Sequence, residues 1–194
     1  MGLTLLLAPA CGYGLAKFRF KGRQLVFVLV LATMMIPFET IMIPLLMLTI
    51  KLRIQDTYPG LILPVMLTAF AVFLMRQSIL TLPNDYLDSA RIDGAGELRI
   101  FFSIVFPSVR PAAVALGILV FRESWDNLIW PLIVTQSERL KTLPLYIIRF
   151  LDEKYTNEAA LMAVAVLACV PIFVLFFAFS RYFVGEGLLT GTKG

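Results

Sequence analysis

The sequence predicts an all-α protein that crosses a membrane several times, and three observations carry that prediction. Of 194 residues, 59% are apolar and only 15% are charged, whereas soluble domains average about 45–50% and about 25%. The apolar residues gather in blocks of about 16 to 26, near the length a helix needs to cross roughly 30 Å of hydrocarbon. The Lys and Arg residues behind the net charge of +4 flank these blocks and form no basic stripe with interleaved aromatics. That pattern fits a lipid bilayer and argues against nucleic acid as a partner.

The first block, Met1 to Ala16, has no basic segment before it and one after it, Lys17 to Arg23. Those flanks suit a membrane span better than a secretion signal, with the basic segment as a headgroup anchor. At 1.5 Å per residue the block reaches only about 24 Å, so further apolar sequence is expected before Met1. The second block, residues 25–50, contains Pro37, Pro44 and one acid, Glu39, and the third covers residues 58–75. Proline removes a helical hydrogen bond, so kinked helices in a bundle are expected. The fourth, residues 111–134, holds Arg122, Glu123 and Asp126, and the fifth, residues 159–180, is free of charge. With five crossings, residues 17–24, 76–110 and the C-terminal tail share one side and carry ten Lys and Arg against six on the other. The positive-inside rule places that side, and the C-terminus, in the cytoplasm. The whole of 1–194 reads as one transmembrane domain.

Several chemistries are excluded. There is no His, and Cys11 and Cys169 lie inside apolar blocks with no ligand spacing, so they read as small packing residues. No metal, cofactor or catalytic site is expected, and no phosphate-binding Gly-x-x-x-x-Gly-Lys-Ser/Thr loop occurs.

Between the third and fourth blocks, residues 83–107 read as two short helices joined by a turn at Gly94 to Gly96. Pro83 and Asn84 provide a start signal, and Asp85 and Asp88 place negative charge in the first turn, where the helix dipole favours it. Leu98, Phe101, Phe102 and Val105 recur at i, i+3, i+4 and i+7 and predict one apolar face. An apolar stripe on a cytoplasmic loop calls for a cover, from the protein's own spans or from a partner. Small residues around the turn would admit a close approach by another surface.

This loop resembles the "EAA" signature of ABC importer permeases: a Glu-Ala-Ala triplet, a Gly after three intervening residues, then Ile-x-Leu-Pro. The matching positions are Asp88-Ser89-Ala90, Gly94 and Ile104-Val105-Phe106-Pro107, with Asp, Ser and Phe replacing Glu, Ala and Leu. Tyr13–Arg23, Met35–Glu39, Ser89–Ala95, Ser124–Leu132, Arg181–Val184 and Lys193-Gly194 are similar to the maltose-type, carbohydrate-uptake branch. The family usually reads Trp-Asn-Asp where this chain has Trp125-Asp126-Asn127.

The resemblance implies a type I importer permease with six spans, five of them present here, in a bacterial inner membrane. Asp88, Ser89, Ala90, Asp93, Gly94, Ala95, Ile104 and Pro107 would then belong to a coupling helix that docks on an ATP-hydrolysing subunit. The implied partners are a second, homologous permease, the ATP-binding subunits, which would hold ATP and Mg, and an external solute-binding protein. The implied cargo is a sugar or oligosaccharide. The alternatives are a glycerol-phosphate permease of the same type, or a secondary transporter or channel independent of ATP.

Charged residues inside a span are expensive unless they face a bundle interior or water. Arg122 and Asp126, at i and i+4, are expected to pair on one face. Glu123, Asn127 and Trp130, at i, i+4 and i+7, are expected on another. Acceptors beside an aromatic plane suit the hydroxyls and C–H face of a sugar, and the same face also suits a helix–helix contact. Trp125 and Trp130 equally fit an outer aromatic belt.

Overall fold

The computed structural model describes residues 1–152 and 158–184; the Lys193-Gly194 match lies outside them. The described residues are helical and turn structure, without strands. The chain divides into two compact units, one of Met1–Thr40 with Val65–Gly117, the other of Ile41–Pro64 with the described part of Ile118–Gly194.

The first unit is organised around α1 (Gly2–Lys17). Thr4, Ala8, Gly12 and Ala16 repeat every four residues and are buried, a small-residue stripe that lets a second helix approach closely. That helix is α5 (Ala69–Leu80), which buries Val72, Met75, Arg76 and Ile79. A Cβ on Gly12 would lie 2.8 Å from the Arg76 backbone nitrogen, so only glycine fits this crossing. The Arg76 side chain is 8% exposed. Its Nε donates to the Leu15 carbonyl at 3.2 Å, and its guanidinium lies 3.8 Å above the Phe27 ring, so the buried cation is both hydrogen-bonded and stacked. Phe27 belongs to α2 (Arg23–Thr33), which enters through Gly22 at φ +87° and packs against Leu15 and Val72.

Residues 34–37 break the second block, and the chain restarts as α3 (Phe38–Lys51). Pro37 lies in the break just before α3, whereas Pro44 is carried inside α3. In the third block α4 (Tyr58–Ile62) and a short 3-10 turn precede a break at 66–68 and α5. The Thr57 and Thr68 side chains cap α4 and α5 by accepting from the Gly60 and Ala71 amides, as expected of N-cap residues. Thr4 donates to the Met66 carbonyl at 2.6 Å and so satisfies backbone freed by the second break. The third helical stretch therefore runs to Leu80, beyond the expected end at 75.

Next come α6 (Asn84–Ile92), α7 (Glu97–Ile100), a π-helical stretch at Phe101–Val105, α8 (Phe106–Ser108) and α9 (Arg110–Asp126), with a 78° bend between the 97–108 stretch and α9. Then follow α10 (Ile129–Val134), α11 (Leu143–Asp152) and α12 (Glu158–Val184). Among the described residues, Leu161–Phe179 of α12 is the one unbroken helix long and apolar enough to cross a bilayer. Three bent helix pairs raise that number to four, and the 16 residues of α1 fall short of the length. Cys11 and Cys169 are exposed on their helices rather than packed inside.

The expected fourth span does not form as one helix. α9 stops at Asp126, and Pro131 supplies the reason: a helix continuing through it would lose a bond to the Asn127 carbonyl and clash with it. The Asn127 side chain instead accepts from the Trp130 amide at 3.3 Å, a local alternative that competes with helix.

Candidate coupling surface and membrane path

The loop from Pro83 to Pro107 turns at one residue. Gly94 has φ +79°. Its amide donates to the Arg91 carbonyl at 3.0 Å, and the Ala95 amide reaches back to the Ala90 carbonyl at 2.9 Å. These two bonds form a Schellman motif, with Asp93 as the C-cap and glycine in the left-handed position that side chains resist. The Ser89 hydroxyl donates to the Asp85 carbonyl at 2.8 Å and is thereby committed to its own helix.

Arg91 spans the turn. It holds Asp88 at 2.7 Å and Glu97 at 2.8 Å, and Glu97 also accepts from the Tyr13 hydroxyl at 2.6 Å. Arg91, followed by Tyr13, keeps the Glu97 carboxyl below its usual range, and Glu97 is the main cause of the raised Arg91 value. Exposed single ion pairs contribute only about 0–1 kcal/mol each. Their value here is geometric: one guanidinium fixes α6 against α7, and Glu97 carries the tie on to Tyr13 of α1.

Outside the turn the surface is open. A Cβ at Gly94 or Gly96 would meet nothing within 4 Å. Asp88, Ser89, Asp93 and Pro107 are exposed, and Ala90, Ala95 and Ile104 are partly so. Ile92 is 86% and Leu98 76% exposed beside them. The expected single apolar stripe is divided: Phe101 and Val105 are buried, whereas Leu98 and Phe102 face out. The π-helical stretch causes this, because its wider turn brings Ile100, Phe101, Val105 and Val109 inward. A cleft of about 600 Å³ adjoins the loop, lined by Lys17, Arg19, Arg23, Asn84, Asp88 and Glu97 among others. Lys17 is more than a headgroup anchor, since its ammonium donates to the Leu82 carbonyl at 2.5 Å and to Asn84 at 2.9 Å.

The fourth-block residues separate. Arg122 and Asp126 form the expected i, i+4 pair at 3.7 Å, with both side chains more than half exposed. Glu123 is exposed on α9. Because α9 ends at Asp126, the face expected to join Glu123, Asn127 and Trp130 does not exist: Asn127 lies in the break and accepts from the Trp130 amide, and Trp130 is 1% exposed. The Trp130 indole donates to the Gly60 carbonyl at 3.2 Å, which ties α10 to α4 and places Trp130 in a core rather than in an aromatic belt. Trp125 stacks on Phe121, and its indole donates to the Ala168 carbonyl of α12 at 3.0 Å. Among the loops, Asp56 accepts from the Gln136 and Ser137 amides and the Ser137 hydroxyl at 2.9–3.0 Å.

Apolar helices and bent helix pairs of membrane length, together with an exposed two-helix loop, define a polytopic membrane subunit. The chain belongs to the family described as binding-protein-dependent transport system inner membrane component, which it matches over residues 8–185. It is 44% identical over 192 residues to the arabinooligosaccharides transport system permease protein AraQ of Bacillus subtilis, covering 99% of this chain and 68% of that one. It is 38% identical to the lactose transport system permease protein LacG of Rhizobium radiobacter (98% and 70%). It is 35% identical to the sn-glycerol-3-phosphate transport system permease protein UgpE of Yersinia pestis (93% and 65%). The fold is that of a chain in the crystal structure of a bacterial ABC transporter involved in the import of the acidic polysaccharide alginate. The TM-score to it is 0.84, with 23% identity over 95% of this chain and 70% of that chain. This chain is thus a membrane permease subunit of a binding-protein-dependent ABC importer, a class that works with ATPase and binding-protein partners.

Proposed function

We propose that the chain forms half of the membrane path for an oligosaccharide and couples that path to ATP hydrolysis through residues 83–107. Five stretches cross the inner membrane, with the C-terminus in the cytoplasm. A second, similar permease supplies the other half, ATP-binding subunits with ATP and Mg dock on the loop, and an external binding protein delivers the solute. The observation that carries the reading is the turn at Gly94. It is stiffened by two backbone bonds and one three-way ion pair, yet its outer surface, with Asp88, Ser89, Ala90, Asp93, Ala95 and the apolar Ile92 and Leu98, stays exposed among the described residues. Ile104 and Pro107 continue that segment into the bend before α9.

The cargo reading rests on the relatives named for arabinooligosaccharides and lactose, with Glu123 offered as the path residue on α9. The test is uptake by vesicles holding the complete complex, supplied in turn with an arabinooligosaccharide, lactose and sn-glycerol-3-phosphate. Uptake of a sugar that requires ATP is expected, and Glu123→Ala should change the order of preference without lowering complex yield. Uptake of glycerol phosphate alone would overturn the cargo, and uptake without ATP would overturn the mechanism.

A further inference from the structure

Tyr13 and Lys17 stand four residues apart and therefore on one face of α1. They reach opposite ends of the same segment. The Tyr13 hydroxyl donates to Glu97 at the first residue of α7, and the Lys17 ammonium donates to Leu82 and Asn84 at the start of α6. Between these two points lie the whole of α6 and the Gly94 turn. We propose that the last turn of α1 is a two-point clamp on the coupling segment, and that Tyr13 and Lys17 are positioning residues that pass its displacement into the membrane helices. This rests on the coupling role proposed above and adds where the motion goes.

Three observations support a clamp over incidental contacts. It grips a stiff body, since Arg91 binds Asp88 and Glu97 across the turn while the Schellman bonds fix its backbone. It is anchored to a stiff body, since Gly12 lets α1 lie against the α5 backbone and buried Arg76 of α5 holds the Leu15 carbonyl, midway between Tyr13 and Lys17. The bonds on the far side are directional, at 2.6 Å from a tyrosine hydroxyl to a carboxylate and 2.5 Å from an ammonium to a carbonyl. A displacement of the 84–97 segment must therefore pull α1 and α5 or break these bonds.

The test compares Tyr13→Phe, which removes one hydroxyl, Lys17→Met, which keeps the aliphatic stem, and the double variant. Each is measured in the complete reconstituted complex with an arabinooligosaccharide as the probe. The docking surface around Gly94 is untouched, so the ATP-binding subunits should still assemble on the loop and basal ATP hydrolysis should persist. Solute carried per ATP should fall by about 3- to 10-fold in the double variant, within the range reported for residues that carry coupling, and Lys17→Arg should restore it. If the double variant does not assemble, the singles decide, each being expected to lower the ratio by at least about twofold. An unchanged ratio in assembled variants overturns the clamp. The outcomes separate from failure of the coupling role itself: if Gly94→Val also leaves stimulation and uptake intact, the loop has no such role, whereas if only the Tyr13 and Lys17 variants behave normally, the clamp alone falls.

Discussion

Substituting Gly94 separates two reasons for a glycine at the tip of the loop. A non-glycine residue held in the left-handed region costs about 1–2 kcal/mol, which shifts the turn equilibrium by about 5- to 30-fold. No further steric term arises among the described residues, because an added Cβ meets nothing there within 4 Å. Gly94→Ala should therefore weaken the turn, and Gly94→Val should weaken it more, since a branched Cβ is stiffer still. With the turn, the Ala95 to Ala90 bond and the bridge from Arg91 to Glu97 lose their geometry. Asn tolerates positive φ, so Gly94→Asn keeps the turn while placing a side chain on the open surface. The assay is binding-protein-stimulated ATP hydrolysis and uptake in vesicles, with complex yield as the control. Valine should abolish both activities with insertion intact. If asparagine behaves like glycine, turn geometry is what matters; if it fails like valine, a partner packs against the bare backbone. Normal stimulation and uptake in Gly94→Val would refute the reasoning.

Three further outcomes follow from the same contacts. Trp130→Phe leaves the buried Gly60 carbonyl without its donor, a loss of about 1–3 kcal/mol, so it should lower the melting temperature of the purified complex while solute preference stays unchanged. Gly12→Ala must push α1 from the α5 backbone, and the yield of assembled complex in detergent should drop sharply. The Ser137 amide, then the Gln136 amide, holds the Asp56 carboxyl below its ordinary value of 3.8. A depressed value means the tie is fully present above that pH and is lost as pH falls through the lower folded value. Proteolysis at 135–142 should accordingly stay flat from about pH 7 to 5 and rise only in stronger acid, and Asp56→Ala should raise it between about pH 7 and 5, the difference closing in stronger acid.

Local signals reported the fold faithfully where the determining residues are neighbours. Gly94 follows a helix with Arg91 in its last turn, and that pattern is enough to place a C-cap. The Arg122–Asp126 pair follows from helical spacing alone. Two features were in the sequence but opposed a stronger pattern. Pro131 stands four residues after Asn127 and disfavours the continuous helix that the apolar run from 111 to 134 suggests, and the Asn127 side chain offers the freed backbone an alternative partner. The i, i+3, i+4, i+7 series from Leu98 to Val105 presumes 3.6 residues per turn, and the π-helical stretch at 101–105 breaks that premise. The clamp residues left no local trace, because Tyr13 and Glu97 lie 84 positions apart and Lys17 and Asn84 lie 67 apart. Only the packing of α1 along α5 brings them together.

The central claim is that the 83–107 segment is where an ATP-hydrolysing partner docks, and Ile92 offers the most direct test. Ile92 is 86% exposed beside the turn, without cover among the described residues. A photo-crosslinking residue at position 92, in the assembled and ATP-hydrolysing complex, should yield an adduct with the ATPase subunit. An active complex in which position 92 labels only lipid or the partner permease would contradict the account.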